Sequence, residues 1–315
     1  MTLVGTENII GPPAATSKGG LRLSEILVLA ALGGMAGIAW ANPSAVPLAT
    51  RSSLVTVGLL FAVAAFALGE EAEGWRYWFR ELLPVPVIPY IFLNLGRLIP
   101  LVNSRLFDAE LEHWDLALLG PESQAALYAL PLPPWLADVL TLAYSTFFFN
   151  PIVLVVALAL RRDRFLPRVT SSVILVFLVS YAGYFLVPAY GPRATVAQER
   201  YQTLPNGLFG GALRGQLDHW EKTKTDAFPS GHTMVTFAVL LFARRRVRAL
   251  YNALLPAGAL LIAATVLLTY HYLVDVLVAI PLTAVSLVLA RALVGGVPAV
   301  ALAAPSPGPR FPPPA

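Results

Sequence analysis

The sequence predicts an all-α fold, a polytopic transmembrane helical bundle of about eight helices, on three observations. Hydrophobic residues make up 57% of the 315 positions and charged residues only 13%. The mean hydropathy of +0.68 lies well above that of a soluble domain of this length. Apolar segments near the roughly 20 residues that cross a hydrocarbon core of about 30 Å recur along the chain, separated by Pro, Gly and charged residues.

In order, the candidate spans are 25–41, 52–69, 84–103, 135–160, 169–187, 230–243, 249–270 and 272–295. Segment 1–20 and the Pro-rich tail 298–315 are rich in turn formers without periodicity and are expected to be disordered. Between them, 21–83 carries two helices and 84–297 the remaining six. The first apolar segment has an alternative reading as a signal peptide, because Lys18 and Arg22 precede it and Ala39-Trp40-Ala41 resembles a cleavage site.

Two arginine clusters set the expected orientation. Arg161, Arg162, Arg164 and Arg168 form one, and Arg244, Arg245, Arg246 and Arg248 the other. The positive-inside rule puts both in the cytoplasm, with both chain termini. The long loops 104–134 and 188–229 then share the extracytoplasmic side of what is expected to be the plasma membrane. In the first loop, Phe107 to Gly120 places Leu111, Trp114, Leu118 and Leu119 near one face, as an interfacial helix would. Because these clusters hold much of the basic charge, the net charge of +4 reports topology and does not point to nucleic acid.

Cysteine is absent, which excludes disulfides and thiolate metal sites. The four histidines, His113, His219, His232 and His271, form no metal-binding pattern with the scattered acids. The expected chemistry therefore uses no metal and no cofactor.

Three motifs carry candidate chemistry. In Phe228-Pro229-Ser230-Gly231-His232 a polar loop turns into an apolar helix. Free backbone N–H groups at that helix start form an anion cradle, to which Ser230 adds a hydroxyl and Gly231 close backbone approach, with His232 aimed at the same point. The bland reading is a helix cap with an interfacial histidine.

In Thr269-Tyr270-His271-Tyr272-Leu273-Val274-Asp275, His271 and Asp275 stand four apart, expected on one helix face. Asp275 can then hold the Nδ1 proton while Nε2 acts as nucleophile. Alone, this spacing also suits an interfacial histidine paired with a capping acid. In Pro188-Ala189-Tyr190-Gly191-Pro192-Arg193, Arg193 can fork onto phosphate oxygens or serve as an interfacial anchor. Lys222 and Lys224 can add positive charge or be solvated loop residues.

An Arg-bearing turn, then P-S-G-H, then H-x-x-x-D in a helical membrane bundle resembles the type-2 phosphatidic acid phosphatase superfamily, which also includes vanadium haloperoxidases. The resemblance covers about 84–295 and implies a six-helix catalytic core. It implies a metal-independent mechanism in which His271 attacks phosphorus, Asp275 orients it, His232 protonates the leaving alkoxide, and Arg193, Ser230 and Gly231 hold the phosphate.

Two departures stand out. The family's Ser-Arg before the nucleophile is Ala264-Thr265 here, and its first motif meets Leu186 and Ala194 where Lys and Pro are expected. T-Y-H-Y-L-V-D, G-P-R, Arg80-Glu81-Leu82-Leu83-Pro84 and the D-x-x-L-x-G element Asp115 to Gly120 are similar to the inositol phosphorylceramide synthase branch, which also lacks that Arg. The resemblance implies a phosphatase or a phospho-headgroup (inositol phosphate-type) transferase acting on a lipid phosphoester through phosphohistidine, with water, a lipid or a polyol as acceptor. The alternative is a non-catalytic transporter or lipid-binding scaffold that retains the fold. Vanadate chemistry fits a membrane bundle poorly.

Overall fold

The structure, a computed structural model, describes residues 20–69 and 75–296. The disordered segments expected at 1–20 and 298–315 lie almost wholly outside them. The described residues are helical and contain no strand. The elements are α1 (Leu23–Ala41), α2 (Leu48–Leu68), α3 (Trp75–Leu82), α4 (Val87–Val102), α5 (Asp108–Leu119), α6 (Pro121–Ala129), α7 (Pro134–Ser145), α8 (Asn150–Leu160), α9 (Leu166–Leu186), α10 (Gln198–Gln202), α11 (Gly210–Trp220), α12 (Gly231–Arg246), α13 (Arg248–Leu267) and α14 (Leu273–Gly296).

Among the described residues six helical stretches are long and apolar enough to cross a membrane: α1, α2, Arg76–Val102 across α3 and α4, α9, α13 and Leu273–Val294 within α14. The chain is an integral membrane protein. The other two expected spans differ. Segment 135–160 is broken into α7 and α8 around a short 3-10 turn, Thr146–Phe148. Pro151, which lacks an N–H and disfavours helical geometry in the residue before it, stands at the start of α8. Helix α12 has 16 residues and is buried almost all round, wrapped by α8, α9, α13 and α14. A helix so enclosed needs no lipid-facing side, which explains its modest apolar length.

Val28, Leu32, Met35 and Ala39 of α1 pack with α2, α4 and α9, while Leu59, Leu60, Val63 and Phe66 of α2 face outward as a lipid-contacting surface. Glu25, at the third position of α1, caps its start through the Arg22 N–H at 2.8 Å and accepts from Arg80 at 2.6 and 2.8 Å, tying α1 to α3. Arg246 grips Asp163 through bonds of 2.7–3.0 Å, so both arginine-rich turns lie at one end of the bundle. At the other end the loops after α4 and α9 meet: Asp108 accepts the N–H groups of Tyr190 and Gly191 at 3.0 and 2.9 Å.

Helix α5 departs from its expected face at Leu111. Its buried positions are Asp108, Leu111 and Asp115, while Trp114 and Leu118 point outward. The acids face in because they satisfy backbone N–H groups there.

Candidate active site

Ser230 is the N-cap of α12. Its Oγ accepts from the Thr233 N–H at 3.3 Å and the Thr233 hydroxyl at 3.0 Å, which starts the helix and sets His232 in its first turn. A Cβ at Gly231 would collide with the Tyr184 hydroxyl, so only glycine lets this helix start approach α9. Gly191, at φ +85°, is likewise pressed against the Tyr270 carbonyl. The Arg193 N–H donates to Thr269 O at 2.8 Å, so the G-P-R turn lies directly against the segment that bears His271.

His271 is not on the same helix as Asp275. Helix α13 ends at Leu267, Thr269 takes φ +62°, and His271 stands in the turn before α14. The pair meets nonetheless, because Asp275 in the first turn of α14 reaches back: its Oδ2 accepts from the Tyr272 N–H at 2.9 Å and lies 3.3 Å from His271 Nδ1. Asp275 is thus a helix-capping acid and a histidine partner at once. The turn is held from outside by Asp115, which accepts the Leu273 and Val274 N–H groups at 2.8 and 2.7 Å.

A second partner of His271 was not legible in its motif. Nδ1 lies 2.7 Å from the Ala227 carbonyl oxygen. A carbonyl only accepts, so Nδ1 carries the proton and Nε2 keeps its lone pair. Burial outweighs that hydrogen bond and pushes His271 down to about 4, so the ring is neutral near pH 7. Nε2 faces His232 Nδ1 at 3.4 Å, and the His232 ring is stacked on Tyr144 and tilted against Phe147.

The expected phosphate ligands divide. Ser230 and Gly231 lie beside His232. The Arg193 guanidinium is nearby but engaged, 3.2 Å from Asp218 and 2.8 Å from Glu221, with its face 4.5 Å from the centre of the Tyr270 ring. Lys222 and Lys224 are both exposed, and Lys224 bonds the Asp218 carbonyl oxygen at 2.9 Å. Ala264 and Thr265 are fully buried, and Thr265 O accepts the His271 N–H at 2.9 Å.

His232 opens onto a cavity of ≈ 570 Å³ whose wall is mostly aromatic and aliphatic. Its wall includes Thr170 and Tyr184, about 21 Å apart at about 1.5 Å rise per residue along α9. Leu93, Phe148, Phe149 and Ile152 also line it and are exposed on the outer apolar surface, so the slot opens sideways between α4 and the α7–α8 break. Glu221 and Asp226 share the wall with His232. Neither acid stood out in the sequence, although Asp226 lies only six residues before His232.

A bundle of membrane-crossing helices with two histidines and an aspartate gathered at one end, beside an apolar slot, defines a membrane phosphatase-like protein. The chain belongs to the PAP2 superfamily: residues 109–289 match its PAP2_3 family. It is similar to a PA-phosphatase related-family protein of Dictyostelium discoideum, 33% identical over 125 residues, which are 38% of this chain and 22% of that protein. The chain thus spans about a fifth of the length of that curated relative. No solved structure gives a significant match.

Proposed function

We propose that the protein is a metal-independent phosphoryl-transfer enzyme acting on lipid phosphoesters, with His271 as nucleophile, Asp275 and the Ala227 carbonyl as its orienting groups, and His232 as general acid. The observation that carries this reading is the His271 Nε2 lone pair aimed at His232 from a ring whose Nδ1 proton is held at 2.7 Å. Nε2 attacks phosphorus, the bond to the leaving oxygen breaks, and His232 delivers the proton that this oxygen needs. An acceptor hydroxyl then gives its proton back to His232 as it displaces the phosphohistidine.

At 3.4 Å the two rings leave no room for a phosphoryl group between them, so substrate binding displaces the His232 ring toward the slot. Ser230, Gly231 and Arg193 are the proposed phosphate ligands. Lys222 and Lys224, exposed as they are, contribute at most long-range charge. The sideways opening suits a lipid that enters from the bilayer. The site is proposed to face the extracytoplasmic side of the plasma membrane, because the arginine-rich turns lie at the opposite end of the bundle.

The T-Y-H-Y-L-V-D string and the absence of the family's second arginine support transfer of a phospho-headgroup, as in the inositol phosphorylceramide synthase branch, over plain hydrolysis. The engagement of Arg193 by two carboxylates favours the second reading, a scaffold that keeps the fold without the chemistry. Incubation with phosphorus-labelled lipids, quenched in alkaline detergent because the P–N bond of phosphohistidine is acid-labile, decides between them: label bound through His271, lost in His271→Ala at unchanged expression, supports the enzyme. Turnover retained in His271→Ala would remove His271 from the role.

A further inference from the structure

The wall of the slot carries no Lys or Arg, and its acidic and basic side chains are Glu221, Asp226 and His232. Glu221 is committed to Arg193 at 2.8 Å. Asp226 is not committed: it is only 8% exposed, it lines the slot, and among the described residues no other side chain bonds its carboxyl. Burial first, and the charge of Glu221 second, push Asp226 up to about 8 against the pull of Arg193. Such a carboxyl gains most from a cation that arrives with a ligand.

The aromatic groups at this end fit the same chemistry. Tyr181, Tyr184 and Trp220 share the slot wall with Asp226, and Tyr184 reaches the start of α12, whereas the Tyr144 ring is already stacked on His232 and Tyr270. Ring faces attract an ammonium group, more strongly as water is excluded.

The charge balance points the same way. Arg193 is already offset by Asp218 and Glu221, and no Lys or Arg lines the slot. A phosphodiester entering this site meets little unspent positive charge. An ammonium on the substrate itself would supply the missing counter-charge, whereas a polyol headgroup would not.

We infer that the outer end of the slot is a headgroup site for a primary or quaternary ammonium, held by Asp226 and its aromatic neighbours, on a zwitterionic phosphodiester lipid whose phosphorus reacts at His271 and His232. This rests on the phosphoryl-transfer reading for the reaction and narrows its substrate class to an ammonium-bearing headgroup, away from inositol phosphate.

The test is competitive binding to the purified wild-type chain, read by native mass spectrometry. The probes are phosphinate analogues of phosphatidylethanolamine and phosphatidylinositol with identical acyl chains, in which CH2 groups replace both bridging oxygens so that no turnover intervenes. The expected result is retention of the ethanolamine lipid over the inositol lipid by tenfold or more, falling to near parity in Asp226→Asn. Equal retention, or preference for inositol, by the wild-type chain overturns the inference without any variant. A ratio unchanged in Asp226→Asn overturns the role of that carboxyl. Trapping of label on His271 from phosphatidylethanolamine, phosphatidylinositol and phosphatidic acid is scored separately: failure with all three removes the phosphoryl-transfer reading, and the binding ratio still decides the headgroup.

Discussion

The Nδ1–H of His271 donates to the carbonyl oxygen of Ala227 at 2.7 Å, closer than the 3.3 Å to the Asp275 carboxylate. The tautomer of the proposed nucleophile is therefore fixed by backbone as well as by acid. In triads where an aspartate alone fixes the tautomer, exchange to asparagine costs about 10⁴-fold in kcat. Here Asp275→Asn is expected to cost about 10²-fold, through lost stabilisation of the imidazolium, with the ring orientation kept. A single-turnover measurement of phosphohistidine formation checks this, and a loss near 10⁴-fold would mean that the carbonyl does not share the task.

Burial also predicts the pH profile. His271 lies near 4, below the ordinary histidine value of 6.5, and protonation removes the lone pair that attacks. The rate falls as pH drops through the folded value, so an acid limb of kcat/KM due to His271 is expected near pH 4. An acid limb of kcat/KM near 6.5, with none lower, would contradict a buried neutral nucleophile.

Asp115 takes two N–H groups at the start of α14, one turn from His271, the proposed nucleophile. Asp115→Ala leaves both without their acceptor and is expected to cost about 1–2 kcal/mol of stability, the range of a lost helix cap. Thermal unfolding in detergent measures it. Because the same contact positions the His271 turn, kcat is expected to fall with KM little changed.

The Glu25–Arg80 pair is buried, with side chains 1% and 2% exposed. Arg80→Met strands a carboxylate and is expected to cost about 3–5 kcal/mol, much of it recovered in the Glu25→Gln, Arg80→Met double variant. A double-mutant cycle on thermal stability that yields no coupling would show that α1 is not anchored through this pair.

Turnover is expected to survive millimolar chelator, since the proposed nucleophile is an imidazole and the proposed proton donor another. Activity that disappears with EDTA and returns with an added divalent cation would contradict the proposed chemistry.

The long lipid-facing helices were legible because composition alone determines them: α1, α2, α9, α13 and α14 fall within a few residues of the segments read from hydropathy. The break between α7 and α8 was not, because Pro151 within an apolar run also fits a kinked span. At the site, His232, Ser230 and Gly231 come together as their motif implies. The helix relation of His271 to Asp275 failed, since Thr269 at positive φ ends α13 early and the contact is made by a capping acid. Nothing in local spacing announces the Ala227 carbonyl or the inward Asp108 and Asp115, because their partners lie 44, 83 and 159 residues away.

The sideways mouth framed by Leu93, Phe149 and Ile152 alters what concentration means for this protein. A substrate that reaches the histidines through that mouth is counted per unit of bilayer area. Saturation is then governed by the mole fraction of the lipid in the membrane, and diluting it with inert lipid slows turnover even when its amount per volume of assay stays fixed.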